Sequence, residues 1–396
     1  MARLLLLSNG HGEDLSGSLL AQHLQALGHD VKALPLAGLG RPYQQAGIPL
    51  LGNSHEFSTG GLGYTSLRGR LTELIQGQIF YLLRRLIRLL RQADQIDLIV
   101  VVGDVIPVIA AWLSRRPVAT YLVAYSSHYE GRLRLPWPCG PMLASPRFRA
   151  VFSRDQLTAD DLSEQLLRPV HFLGNPFMDS VLRSGVASAK GAGSQAVIGL
   201  LPGSRRPELE QNLLRLLQLA ERLPNDETLQ LELALVSSLD DGALDHLVRN
   251  AGWYLEGEWL RRTGAPSIQV HRQGFERVLQ HSDLIIGMAG TAVEQAVGLA
   301  RPVLQVAGDG PQFTAAFAEA QRRLLGPTVF CAPGPPGEQA TLDASAALAL
   351  ELVQRSRTDT TLQRQCRHEA QRRLGSSGGG LTMATEISAL CAPVER

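Results

Sequence analysis

The sequence predicts a chain built of two doubly wound α/β domains, and three observations carry that expectation. Short apolar runs rich in β-branched residues alternate with segments of helical periodicity along the chain. The alternation breaks at residues 184–195 (SGVASAKGAGSQ), a stretch rich in Gly, Ala and Ser, and then resumes. The length of 396 residues exceeds one ordinary domain and suits two, each of somewhat under about 200 residues. Strand–helix alternation on both sides of a linker implies a largely parallel sheet in each half.

The elements follow in order. Residues 2–7 read as a buried first strand, and residues 15–27 as a helix with Leu20, Leu24 and Leu27 on one face. A second strand is expected at 31–34. Residues 98–102 (LIVVV) form a continuous β-branched run, as expected of a parallel strand covered on both faces. Further strands are expected at 118–123, 150–152 and 171–173. Beyond the linker the strands fall at 197–201, 231–236, 267–270, 284–286 and 302–306, with a helix from about 207 to 223. The expected domains are therefore 1–183 and 196–374. Residues 375–396 add a Gly-rich joint (GSSGGG) and a short helix over 381–390 that could pack back on the first domain. No internal repeat is visible.

Composition narrows the function classes. The chain is 44% hydrophobic and 19% charged, which provides a core and argues against global disorder. A net charge of +1 gives no global attraction to nucleic acid. Cys139, Cys331, Cys366 and Cys391 lie far apart without a C-x-x-C pair. That excludes a zinc ribbon or thioredoxin-type motif and suits buried thiols in a reducing compartment. The apolar run Leu4 to Leu7 is too short for a signal-peptide core, and no uncharged stretch is long enough to span a bilayer. A cytoplasmic protein, soluble or held at a membrane surface, is expected.

Four places offer polar groups at strand-to-helix turns. In LLPGSRRPELE (200–210) a buried strand ends at a tight turn, and Pro207 suits the first position of a helix. Free backbone N–H groups of Gly203 and its neighbours, the Ser204 hydroxyl and the Arg205 guanidinium would suit a phosphate there. An ordinary turn with a capping serine and a solvated arginine fits the same pattern. In IGMAGTAVEQA (286–296) Gly287 and Gly290 permit close approach, Thr291 opens a helix, and Glu294 falls in its first turn. That carboxylate could accept both ribose hydroxyls, or simply favour the helix N-terminus. In SNGHGEDLSG (8–17) Gly10 and Gly12 lack the G-x-G-x-x-G spacing of a nicotinamide site. His11, Glu13 and Asp14 could face a ligand there or serve the surface and the cap. Asp104, in VVGDVIP (101–107), stands at the carboxyl end of the strongest strand, where it is either a reacting group or a helix N-cap.

A fifth feature is the helix expected over residues 79–91 (IFYLLRRLIRLLR), apolar on one side and arginine-rich on the other. Arg84, Arg85, Arg88 and Arg91 have no acidic counterpart within the run. Such a helix can lie on an anionic membrane, or it can be a core helix with solvated arginines.

Together these places resemble the GT-B glycosyltransferases, and more narrowly the lipid-A-disaccharide synthase group and its related proteins. Gly174-Asn175-Pro176 (FLGNPFMDS) resembles the group's segment at the end of the first domain. PGSR at 202–205 followed by Glu208 looks like its phosphate turn, and GTAVEQA followed by Arg301-Pro302-Val303 is similar to its ribose segment. The resemblance implies two Rossmann-like domains facing across a cleft. It also implies a UDP-sugar donor of the N-acetylhexosamine type, a lipid or lipid-linked acceptor, inversion at the anomeric carbon, and no required metal or other cofactor. Ser204 and Arg205 would hold the diphosphate, Glu294 the ribose, Phe275 the base and Gln312 the sugar. Asp104, or alternatively His11, would be the general base, beside the acceptor-side turn of Gly10, Gly12 and Glu13. The group's G-E-x-S-G-D turn is replaced here by Gly12-Glu13-Asp14-Leu15-Ser16-Gly17, and GDGPQFTAAF (308–317) also departs from its wording. A related protein of separate function is therefore the closer description. A GT-B-fold UDP-sugar epimerase and a non-catalytic sugar-nucleotide-binding regulator are the alternatives.

Overall fold

The computed structural model describes residues 1–52, 78–129, 131–182, 195–204, 206, 208–287, 290–306, 314–331 and 334–391. The expected linker at 184–195 lies outside the described residues except for its last position. The chain divides into two compact units, one comprising Met1–Asp179 with Gly375–Arg396, the other Ser180–Leu374.

The first unit holds a five-stranded parallel sheet. Its strands are β1 (Arg3–Ser8), β2 (Asp30–Pro35), β3 (Leu98–Val102), β4 (Val118–Leu122) and β5 (Phe148–Ser153), in spatial order β2-β1-β3-β4-β5. All five residues of β3 are buried, as its β-branched run predicts for a strand between two helical layers. Helix His11–Ala26 follows β1 and buries Leu20 and Leu24, but ends before Leu27, which is 41% exposed. The expected strand at 171–173 is absent. His171 makes a single bridge to Phe152, and the chain then turns through Gly174.

The C-terminal helix, Gly379–Ala389, belongs to this unit and starts inside the glycine run rather than after it. Two glycines allow the contact. A Cβ on Gly379 would lie 2.6 Å from the carbonyl carbon of Gly174 and 2.7 Å from the carbonyl oxygen of Leu173. Asp179, only 3% exposed, accepts the backbone N–H groups of Gly378 at 2.8 Å and Gly380 at 2.9 Å. It thereby satisfies orphan donors at a buried helix start. Asn175 is buried too, accepting from the Tyr121 hydroxyl and donating to the Arg154 carbonyl at 2.9 Å. The FLGNPFMDS segment is thus a structural clasp.

The helix Gln78–Gln92 corrects the sequence reading. Arg85 is 2% exposed; its Nε donates to the Tyr81 hydroxyl at 3.0 Å and its guanidinium reaches the Leu51 carbonyl at 3.2 Å. A buried guanidinium with these partners cannot touch a membrane. Arg84, Arg88 and Arg91 are exposed, but so are Phe80, Leu83, Ile87 and Leu90, so the outer face is apolar as well as basic. No helix among the described residues is long and apolar enough to cross a membrane.

The second unit holds β6 (Ala196–Leu201), β7 (Leu229–Ala234), β8 (Tyr254–Glu256), β9 (Trp259–Arg261), β10 (Ile268–His271), β11 (Leu284–Gly287), β12 (Val303–Gln305) and β13 (Val329–Cys331). Their order is β13-β12-β11-β6-β7-β10-β9-β8. Six strands run parallel, while β8 and β9 form an antiparallel hairpin on the edge beside β10. The hairpin and β13 were not anticipated, because three-residue strands carry too little periodicity to register. Helix Glu208–Ala220 packs Leu209, Leu213, Leu216 and Leu217 against the sheet, with none more than 0% exposed. Cys139 and Cys366 are buried, but Cys331 is exposed, which corrects the expectation of four buried thiols.

Replacing Asp179 by Ala should strand two N–H groups and cost about 1–3 kcal/mol. A lower melting temperature, with faster proteolytic cleavage around residues 375–380, is the expected outcome. Unchanged melting and cleavage would show that the clasp contributes nothing.

Candidate active site

In each unit the strand order reverses once. In the first sheet the chain leaves β1 toward β2 on one side and returns to β3 on the other. In the second it leaves β6 toward β7 and later returns to β11 on the opposite side. Connections leaving such a strand pair diverge, and a crevice opens beyond the carboxyl ends, where open α/β sheets bind ligands. The loops after β1, β3, β6 and β11 carry the four polar turns singled out in the sequence.

In the second unit, Gly203 sits after β6 at φ +95°, a conformation that favours glycine, and Ser204 is exposed. Arg205 and Pro207 lie outside the described residues, and the helix begins at Glu208. The turn is pinned from below by Asn212, itself 3% exposed, whose amide donates to the Pro202 carbonyl at 2.9 Å. Glu210 is engaged by Arg206 one turn earlier. After β11, the helix begins at Gly290, one residue before Thr291, so Glu294 falls in the second turn and not the first. Gly290, Thr291 and Glu294 are half-buried. Two buried glutamines support this turn: Gln321 donates to the Gly290 carbonyl at 3.3 Å, and Gln305 donates to Gln321. Phe275 opens the helix Phe275–His281, half-buried, following β10. Gln312 lies outside the described residues.

In the first unit, the loops after β1 and β3 are joined directly. Asn9 Nδ2 donates to Asp104 Oδ2 at 3.0 Å, while Asp104 Oδ1 accepts the Ile106 N–H at 2.9 Å. Asp104 is thus the N-cap of helix Val105–Leu113, and burial raises its carboxyl above the usual carboxylate range. Val105 N–H donates to the Tyr125 hydroxyl at 3.0 Å, which brings the loop after β4 to the same place. Gly10 precedes the first helix, Gly12 lies in its first turn, and the Glu13 carboxylate folds back against Gly10. The His11 side chain lies outside the described residues.

Asp14 does not face a ligand. It is 1% exposed, accepts the Ser8 hydroxyl at 2.6 Å, and Ser8 accepts in turn from Tyr43 at 3.1 Å. Burial pushes its carboxyl up to about 7, with Ser8 acting in the opposite direction. Asn9, Tyr125, Asn212, Gln305 and Gln321 escaped the sequence reading, because each acts on a partner distant in sequence or on a backbone carbonyl.

Helix Cys139–Ala144 packs on helix Val105–Leu113 and borders an open groove of about 800 Å³ lined by Arg132, Leu133, Arg134, Leu135 and Trp137. Among the described residues, no group of three or more His, Cys, Asp or Glu side chains could hold a metal ion.

The two sheets and their order define the GT-B-like α/β fold, and solved structures agree. The calicheamicin glycosyltransferase CalG4 matches with a TM-score of 0.61 at 17% identity over 100% of both chains. The S. aureus MnaA–UDP structure matches at 0.56 and 13% identity over 98% of this chain and 97% of that one. A putative UDP-N-acetylglucosamine 2-epimerase from Listeria monocytogenes matches at 0.54 and 15% identity over 98% and 95%. In sequence, the chain is 30% identical over 147 residues to the lipid-A-disaccharide synthase of Trichlorobacter lovleyi, a match covering 36% of this chain and 35% of that relative. The chain thus spans about a third of the length of the curated relative it matches. No family model matches the sequence.

The Asp14 carboxyl gives a test of the first crevice's floor. Its folded value is raised above the unfolded one near 4, so its contribution favours folding at low pH and is lost as pH rises through about 7. Asp14→Asn should therefore gain on the wild type by roughly 2–4 kcal/mol between pH 4 and 8 in chemical denaturation. A stability difference that does not change with pH would contradict the burial.

Proposed function

We propose that this chain is an inverting, metal-independent glycosyltransferase. It moves a sugar of the N-acetylhexosamine type from a UDP-sugar to a lipid or lipid-linked acceptor at the cytoplasmic face of a membrane. The observation that carries the reading is that β6 and β11, the strands that lead into the two turns, are neighbours at the reversal of strand order in the second unit. The partial likeness to a lipid-A-disaccharide synthase supports the donor and acceptor classes.

Ser204, Arg205 and the N–H groups of the first turn would hold the diphosphate, where developing charge on the leaving group needs donors already in place. Gly290 and Thr291 would let the nucleotide approach, Glu294 would accept the ribose hydroxyls, and Phe275 and Gln312 would meet the base and sugar. An acceptor hydroxyl attacks the anomeric carbon opposite the diphosphate. Asp104 takes its proton as the carbon–oxygen bond to the leaving phosphate breaks. Asn9 and the Ile106 N–H fix the carboxylate's orientation, and burial raises its basicity. His11 is the alternative base. The groove bordered by helix Cys139–Ala144, with arginines and an exposed tryptophan, suits an amphiphilic molecule.

The test is UDP release from UDP-N-acetylhexosamines with and without a lipid extract. Release should require the extract, and Asp104→Asn should lower kcat about 100-fold or more while leaving UDP affinity within about twofold. The acid limb of the wild-type rate profile should lie above the ordinary carboxylate value of about 4. Epimer interconversion without acceptor would establish the epimerase reading instead, and UDP-sugar binding without turnover the regulatory one.

A further inference from the structure

The outer face of helix Gln78–Gln92 departs from an ordinary surface helix. Phe80, Leu83, Ile87 and Leu90 recur at spacings of three and four and are 73%, 48%, 47% and 43% exposed. Arg84, Arg88 and Arg91 stand alongside them, also exposed, and the helix contains no acidic residue. The opposite side is already committed to the unit through the buried Leu89 and Arg85. Arg88 additionally reaches the Leu51 carbonyl at 3.4 Å, which holds its stem along the helix flank. An apolar stripe bordered by cations only is the pattern of a helix lying in a bilayer interface.

We propose that this face docks on an anionic lipid bilayer. Phe80, Leu83, Ile87 and Leu90 enter the acyl boundary, Arg84 and Arg91 meet lipid phosphates, and Arg85 serves the fold alone. The lipid partner rests on the proposed function, but the stripe and the exclusion of Arg85 do not. A readout of binding alone separates failure here from failure of sugar transfer.

The experiment is co-sedimentation of the full chain with phosphatidylglycerol–phosphatidylcholine vesicles and with phosphatidylcholine vesicles. The wild type should bind the anionic vesicles, more weakly as salt rises. The double variant Ile87→Ser, Leu90→Ser should bind at least tenfold less while melting like the wild type. Arg84→Gln with Arg91→Gln should lose the preference for anionic lipid. Should the serine variant misfold, Leu90→Trp provides a second readout: its emission should shift to the blue on anionic vesicles. Unchanged partition of a folded serine variant, or an unshifted Leu90→Trp emission, would overturn the proposal. So would a wild type that ignores vesicles while the serine variant changes its mass by sedimentation equilibrium, since a second copy would then cover the stripe.

Discussion

A parallel sheet cannot cover its own carboxyl edge where successive crossovers leave in opposite directions. The chain passes from β1 to β2 and from β6 to β7 on one side, and the later strands β3 and β11 lie on the other. In the second sheet the turns at Gly203 and Gly290 follow the neighbouring strands β6 and β11, while in the first Asn9 is hydrogen-bonded to Asp104. The chemistry assigned to the chain depends on these two juxtapositions.

Both crevices are supported by side chains from outside the turns that form them. Asn212 fixes the Pro202 carbonyl, Gln321 with Gln305 fixes the Gly290 carbonyl, and Tyr125 fixes Val105 N–H. Buried amides suit this work because an unpaired buried carbonyl is costly, so a satisfied one has a single defined position. Below the first crevice Asp14 is sealed with Ser8 and Tyr43, so the turn that carries His11 and Glu13 stands on a buried polar network.

Much of the fold was legible in the sequence, because parallel strands such as β3 and β6 are apolar throughout and bounded by clear turns. The strand at 171–173 failed because one bridge from His171 satisfies the local backbone and Gly174 then turns the chain toward the C-terminal helix. The β8–β9 hairpin was invisible for want of length. At the site, the turns could be read from glycine, serine and proline, but strand order could not, since no local periodicity encodes which strands become neighbours. Arg85 was misjudged for a related reason: helical spacing gives the angle between side chains, not which arc faces the sheet. Of the two readings of Asp104 the structure shows the N-cap, with burial raising its carboxyl.

The central claim is that the reversal in the second unit receives a nucleoside diphosphate. Hydrogen exchange of the full chain with and without saturating UDP tests it most directly. The account predicts slowed exchange in two peptides, the one spanning 200–213 and the one spanning 286–297, with the first unit's turn at 8–17 unchanged. Protection confined to 8–17, or none at either turn of the second unit despite saturation, would contradict it.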